Sequence, residues 1–151
     1  MKPKKPRPNL FNDATNELSQ DAMPCWLARW ADPDIAEYDP HLHLLGQSFL
    51  NQLGAGESPK SITKIEIKRQ YKRIDILIVP NVAFAIAVED KVGSTEHSDQ
   101  LRRYRDVLRG EGYADIRLVY VQTGDQGSYT SAAEAEYRII QRHQILELLQ
   151  E

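Results

Sequence analysis

The sequence predicts an α/β sandwich, with a mixed central sheet flanked by helices. Apolar residues follow helical spacing up to about residue 53, switch to a period of two between residues 65 and 91, and return to helical spacing over 95–109. The strand-like run Ile116-Arg-Leu-Val-Tyr-Val121 comes after that last helix. A helical crossover joins parallel strands, so this run is expected to lie parallel to a strand already in the sheet. The chain has 151 residues, 41% of them hydrophobic and 27% charged, which suits one core.

Taken in order, residues 1–10 hold three prolines and four basic groups and read as a basic flexible arm, leaving 11–151 as a single domain. Leu18, Ala22, Trp26 and Trp30 recur four apart and predict a helix over 14–31. Pro24 falls inside it and is expected to kink or split it, and Asp32-Pro33 is a stop. A second helix is expected from Pro40 to Leu53, built on Leu44, Leu45, Phe49, Leu50 and Leu53, with the loop Gly54 to Pro59 after it. Three strands then form a meander: one around Ile65 and Ile67, one over Arg73–Val79, and one over Val82–Lys91. The next helix presents Leu101, Tyr104 and Leu108 on one face, with Ser94 or Thr95 to start it and Gly110 or Gly112 to end it. Tyr137–Ile140 reads as a short edge strand and Gln144–Leu149 as a last helix. The order is ααβββαββα.

Composition narrows the function. A single cysteine, Cys25, forms no intramolecular disulfide and points to a reducing, cytoplasmic setting. No apolar run approaches the roughly 20 residues that cross a bilayer, and the basic N-terminus lacks the apolar stretch of a secretory signal. No Gly-rich phosphate loop is present. His41, His43, His97 and His143 are too scattered for a zinc site. The net charge of −3 is not that of a typical nucleic-acid binder, but local charge differs. Lys64, Lys68, Arg69, Lys72 and Arg73 fall within ten residues, and Arg102, Arg103, Arg105 and Arg109 share one predicted helix. Such clusters can neutralise phosphates, and Arg73, Arg102 and Arg103 are the candidate nucleic-acid contacts.

The chemistry lies in the second and third strands. Along the third, odd positions share a face that reads Ala83, Ala85, Ala87, Glu89, Lys91, while the even face reads Val82, Phe84, Ile86, Val88, Asp90. The even face is core, with Asp90 expected in water at the strand end. The odd face has small residues that leave room above the sheet, then an acid and a base. In the second strand Asp75 interrupts a run of Ile, Leu and Val, which is costly unless the acid is paired, hydrated or metal-bound. A two-residue turn at Pro80-Asn81 would set Asp75 opposite Ile86, on the wrong face. A three-residue turn at 80–82 sets it opposite Ala87 and diagonal to Glu89, about 7–8 Å away. The second register is therefore expected. Two hard carboxylates suit Mg²⁺, with Mn²⁺ as a substitute. A bound ion of that kind lowers the pKa of a coordinated water and stabilises charge on a reacting phosphate, and Lys91 can orient that water.

Ile74-Asp-Ile-Leu-Ile78, followed by Val88-Glu-Asp-Lys-Val92, resembles the core of the PD-(D/E)XK nuclease superfamily. Gln100-Leu-Arg-Arg-Tyr104 resembles the Gln-x-x-x-Tyr motif of its recombination-exonuclease-like branch, and Asn16-Glu-Leu-Ser-Gln-Asp-Ala22 with Trp26-Leu27 resembles that branch's first-helix signature. The resemblance covers residues 11–150 and implies a restriction-endonuclease-like αβββαβ core. It also implies Mg²⁺-dependent phosphodiester hydrolysis, of DNA in preference to RNA. Asp75, Glu89 and Glu17 are then the metal ligands, Lys91 is catalytic, Gln100 steadies the site, and Tyr104 accompanies it against the nucleic acid. The rival expectation is a catalytically inactive nucleic-acid-binding or scaffolding module that keeps the fold. The sequence leaves the oligomeric state open, a homodimer included.

Overall fold

A computed structural model describes residues 4–9, 21–54, 61–91, 98–122 and 136–150, and excludes the side chains at 91 and 98–101. Within them run α1 (Ala22–Trp30), a 3-10 turn (Pro33–Ile35), α2 (Pro40–Leu53), β1 (Ile65–Tyr71), β2 (Ile74–Pro80), β3 (Phe84–Lys91), α3 (Ser98–Gly110), β4 (Asp115–Gln122), β5 (Arg138–Gln141) and α4 (Arg142–Leu148). The five strands form one sheet in the order β1-β2-β3-β4-β5. The first three are antiparallel, while β3–β4 and β4–β5 pair in parallel, so the sheet is mixed as expected.

Strand alternation divides the core into two layers. Ile76, Ile78, Ile86, Val88, Val119 and Val121 pack with Leu27 and Ala28 of α1, Phe49, Leu50 and Leu53 of α2, and Ile145 and Leu148 of α4. The opposite layer joins Leu77, Val79, Ala85, Ala87, Leu118 and Tyr120 to Tyr104 and Leu108 of α3. The room expected above the alanines is thus taken by α3, and Ala85 and Ala87 are buried beneath it. Only beyond Ala87, at Glu89, does a polar group enter this face.

The N-terminal layer is held by close backbone contact. Pro24 sits in the first turn of α1, where its missing N–H costs no bond within that helix, and residues 14–20 of the expected helix lie outside the described residues. A Cβ on Gly46 would lie 2.6 Å from the Ala31 nitrogen and 2.8 Å from the Leu27 carbonyl oxygen, which explains a glycine inside α2. His43 Nδ1 lies 2.7 Å from the Trp30 carbonyl oxygen at the end of α1. Asp32 caps the 3-10 turn through the Asp34 N–H (3.0 Å) and accepts from the Ile65 N–H (3.0 Å) and from Lys5 Nζ (2.6 Å). Residues 4–9 of the basic arm form no helix or strand and are pinned here, since Tyr38 Oη also donates to the Lys5 carbonyl.

The β2–β3 register needs a correction. The turn is three residues long but spans 81–83 rather than 80–82, because Pro80 stays in β2 and pairs with Ile65. Asn81 takes a left-handed conformation (φ 64°). Its Oδ1 accepts from the Thr63 N–H at 2.7 Å and from Thr63 Oγ1 at 2.9 Å, and its Nδ2 donates to the Ser61 carbonyl. These bonds delay the turn by one residue. The ladder runs Ile78↔Ile86, Leu77↔Ala87, Ile76↔Val88 and ends there; one further step would set Asp75 opposite Glu89 rather than diagonal to it. Ile76 and Ile78 keep the expected parity, but Ile74 joins the layer of Leu77 and Val79, so the alternation is interrupted beside Asp75.

Gly46→Ala should lower stability by about 1–3 kcal/mol, the usual cost of overpacking. Urea unfolding should show a lower midpoint at unchanged slope. An unchanged midpoint would mean that α1 and α2 separate freely.

Candidate active site

Asp75 on β2 and Glu89 on β3 lie toward the end of the sheet where β1 and β2 turn. Glu89 is 2% exposed, a carboxylate drawn out of water on the face of Ala85 and Ala87. Asp75 Oδ2 accepts the Asp90 backbone N–H at 3.0 Å, so the acid bridges to β3. Tyr137, just before β5, reports on both acids. Burial first and then the Glu89 charge push its hydroxyl far above the usual phenol range, with Tyr104 and Asp75 adding to the rise and Arg105 opposing it.

Residues that the sequence reading did not select surround Asp75. Gln70 lies across from it on β1, in the left-handed region (φ 50°), and their pairing is missing from an otherwise regular ladder. The Gln70 amide donates to Asp75 Oδ1 at 3.4 Å. Backbone strain of this kind costs on the order of 1–3 kcal/mol, and here it falls beside an acid of the site. Asp21, immediately before α1, is 6% exposed, with Arg69 Nη2 3.9 Å away. Burial and then the Asp75 charge push its carboxyl up from 3.8, while Arg69 and hydrogen bonds with Gln70 and Asp90 pull it down. Asp90, expected in water, is instead 8% exposed and engaged with Asp21, because the α1 layer closes over the even face of β3. Asp21 did carry a signal: it stands four residues after Glu17, one helical turn along the same predicted face. Gln70 carried none, since its relation to Asp75 exists only through the register.

The structure locates the remaining expected residues unevenly. Glu17 lies outside the described residues. Lys91 ends β3 two positions after Glu89, and Gln100 lies in the first turn of α3, with both side chains outside the description. Tyr104, expected against nucleic acid, is 3% exposed, and its hydroxyl donates to the Arg73 carbonyl at 2.5 Å. The ring is core, and its oxygen ties α3 to the β1–β2 turn. That turn is Lys72-Arg73, both left-handed (φ 50° and 71°), the conformation of a two-residue type I′ hairpin. Arg73, Arg102 and Arg103 are exposed and pair with no acid among the described residues. Arg105 pairs with Glu136, and Lys72 with Glu111. A separate cavity of about 430 Å³ lies against Ile65 at the other end of β1, lined by Lys5, Arg7, Arg29 and Asp32, and includes none of the site residues.

The donor set fits a hard divalent cation of the Mg²⁺ type. Among the described residues no group of three His, Cys, Asp or Glu side chains is placed to hold a metal. Mg²⁺ does not need one, because it commonly binds through one or two carboxylates and keeps several waters. Facing residues on antiparallel strands have Cβ atoms about 4.5–5.5 Å apart, so carboxylates in that relation are close enough to share an ion. The hydrogen bonds on Asp75 leave it further lone pairs.

The folded state holds the Asp21 proton more tightly than the unfolded chain, whose value is near 3.8. The associated stability is complete below that pH and is lost as pH rises through the folded value. In metal-free buffer, urea titrations from about pH 4 to 8 should show the wild type losing stability relative to Asp21→Asn as pH rises. A difference that stays constant across this range would contradict the assignment.

Residues 40–151 match a family model described as the PD-(D/E)XK nuclease superfamily. The matched span contains Asp75, Glu89, Lys91 and Gln100 and leaves Glu17 outside. No curated protein matches the chain, and no solved structure does. With three quarters of its residues inside that match, and a mixed sheet between helical layers as in restriction-endonuclease-like folds, the chain belongs to the PD-(D/E)XK nuclease superfamily.

Proposed function

We propose that this protein is a Mg²⁺-dependent nuclease that hydrolyses phosphodiester bonds, with DNA as its substrate in preference to RNA. The superfamily consists in general of nucleases, which usually employ divalent metal ions. The observation that supports the reading for this chain is the bond from the Asp90 N–H to Asp75 Oδ2, which ties Asp75 to the Glu89–Lys91 stretch of β3.

Asp75 and Glu89 would hold the ion, with Glu17 as a third acid. When bound, Mg²⁺ supplies an acidified water and stabilises charge on the phosphate under attack. Lys91 orients the attacking water and offsets negative charge on the phosphoryl oxygens. Gln100, in the first turn of α3, steadies the site from above the sheet. Tyr104 works through Arg73, whose turn it holds, rather than by touching substrate. Arg73, Arg102 and Arg103 neutralise backbone phosphates on either side of the scissile bond. No helix among the described residues is long and apolar enough to cross a membrane, and Cys25 is buried in the core, which supports a cytoplasmic setting.

Supercoiled plasmid and single-stranded DNA or RNA, incubated with the protein and Mg²⁺ or Mn²⁺, test the reading. DNA cleavage should appear with either ion, stop with EDTA, and fall about 100-fold or more in Lys91→Ala or Glu89→Gln. Cleavage at the wild-type rate in both variants would defeat the mechanism. DNA retention without turnover in the wild type would instead favour a catalytically inactive binding module.

Binding in Ca²⁺ should weaken steeply with salt. Arg102→Ala and Arg103→Ala should each lower the log–log salt slope by about 1 without changing sequence preference. An unchanged slope in both would remove α3 from the binding face.

A further inference from the structure

The last residue of β4, Gln122, has no role in the site described so far. It is 1% exposed, and neither its amide oxygen nor its amide nitrogen has a hydrogen-bond partner among the described residues. An unsatisfied buried amide is costly, so native proteins rarely keep one without a use. Its position suggests the use. Gln122 shares a face with Leu118 and Tyr120, the face covered by α3. The parallel ladder aligns Glu89 with Tyr120 and Lys91 with Gln122. Partners in a parallel ladder sit on the same side of the sheet, about 4.8 Å apart. Position 122 is therefore beside position 91, at the carboxyl ends of the parallel strands, where open α/β sheets receive their ligands.

We infer that Gln122 is a positioning residue for Lys91: its amide oxygen accepts a hydrogen bond from the Lys91 ammonium and holds that charge on the side of the sheet that carries Glu89. The chemistry is complementary, since an ammonium has three donors and no acceptor and needs an oxygen to fix its direction. A lysine on a four-carbon stem carries large rotamer freedom, and a catalytic role requires most of it to be removed. An amide oxygen can do this without a charge of its own. Gln141 on β5 pairs with Gln122 on its other side.

The inference rests on the nuclease reading above, and the experiment separates the two. Gln122→Leu keeps the side-chain bulk and removes the amide, whereas Gln122→Glu keeps an acceptor. Plasmid cleavage with Mg²⁺, oligonucleotide binding in Ca²⁺ and thermal unfolding are measured for both variants, alone and combined with Lys91→Ala. Gln122→Leu should lower kcat roughly 10- to 100-fold, the value of one charge-assisted hydrogen bond. KM and DNA affinity should be held, and Tm should change far less than kcat does. Gln122→Glu should keep kcat within a few-fold of the wild type, and Gln122→Leu should cause no further loss once Lys91 is alanine. Full activity in Gln122→Leu overturns the inference. So does an equal loss in both Lys91 backgrounds, or a fall in Tm that tracks the loss of activity. A wild-type protein that cleaves nothing overturns the nuclease reading and this inference with it.

Discussion

The two-layer core of this molecule depends on the register of one antiparallel pairing. Side chains alternate along a strand, so moving β2 by one residue against β3 would carry Ile76 and Ile78 out of the layer they share with Ile86 and Val88. What guards against that slip is Asn81. Its side chain is bonded to Ser61 and Thr63 at the entrance to β1, and its backbone N–H donates to the Lys64 carbonyl. These contacts fix the turn from outside the hairpin, which is stronger than a turn preference alone. Pro80 helps passively: it lacks an N–H, and it stands at the end of its ladder opposite Ile65. The site is therefore positioned by a polar anchor at the far end of the strands that carry it.

At the site end, folding works against electrostatics. Glu89 is out of water, Asp21 and Asp90 share a buried contact, and the Asp75 charge acts on Asp21. The strand paired with Asp75 takes up a left-handed residue at Gln70. A domain of ordinary marginal stability can keep such features only if function requires them, because each one costs a sizeable part of the total. The rest of the core offsets them with two apolar layers and with close backbone contact at Gly46. A divalent cation would convert repulsion between Asp75 and Glu89 into attraction to a shared ion. The resting protein is thus less stable than its fold would permit, in the region where binding can recover the difference.

The fold was legible in the sequence because its signals are periodic. The switch from helical to alternating spacing marks the meander, and the helix between Lys91 and Ile116 requires the parallel β4. Asp75, Glu89 and Lys91 were legible because two acids and a base interrupt apolar or small runs. Properties that depend on three-dimensional neighbours were not legible. The delayed turn depends on Asn81 reaching Thr63, the burial of Asp90 on α1 closing over it, and the strain at Gln70 on what stands opposite. Tyr104 shows the limit most clearly. Its spacing from Gln100 fits both a core position and a substrate position, and only its bond to the Arg73 carbonyl distinguishes them.

That same bond explains how an acidic protein can present a basic face beside an acidic centre. Net charge is −3, yet the acids of the site lie on or under the sheet, while Arg73, Arg102 and Arg103 project from its cover. The Tyr104 hydroxyl joins the two sources of positive charge, the β1–β2 turn and α3, into one unit. Arg105 and Lys72 do not add freely to it, since they are neutralised by Glu136 and Glu111. The basic groups left over are those of the hairpin tip and the first half of α3, and the hydroxyl of one buried tyrosine ties the two elements together. Under the proposed function, a polyanion drawn to them would bring its phosphates toward Glu89 and Asp75, where a bound cation would offset the repulsion it meets.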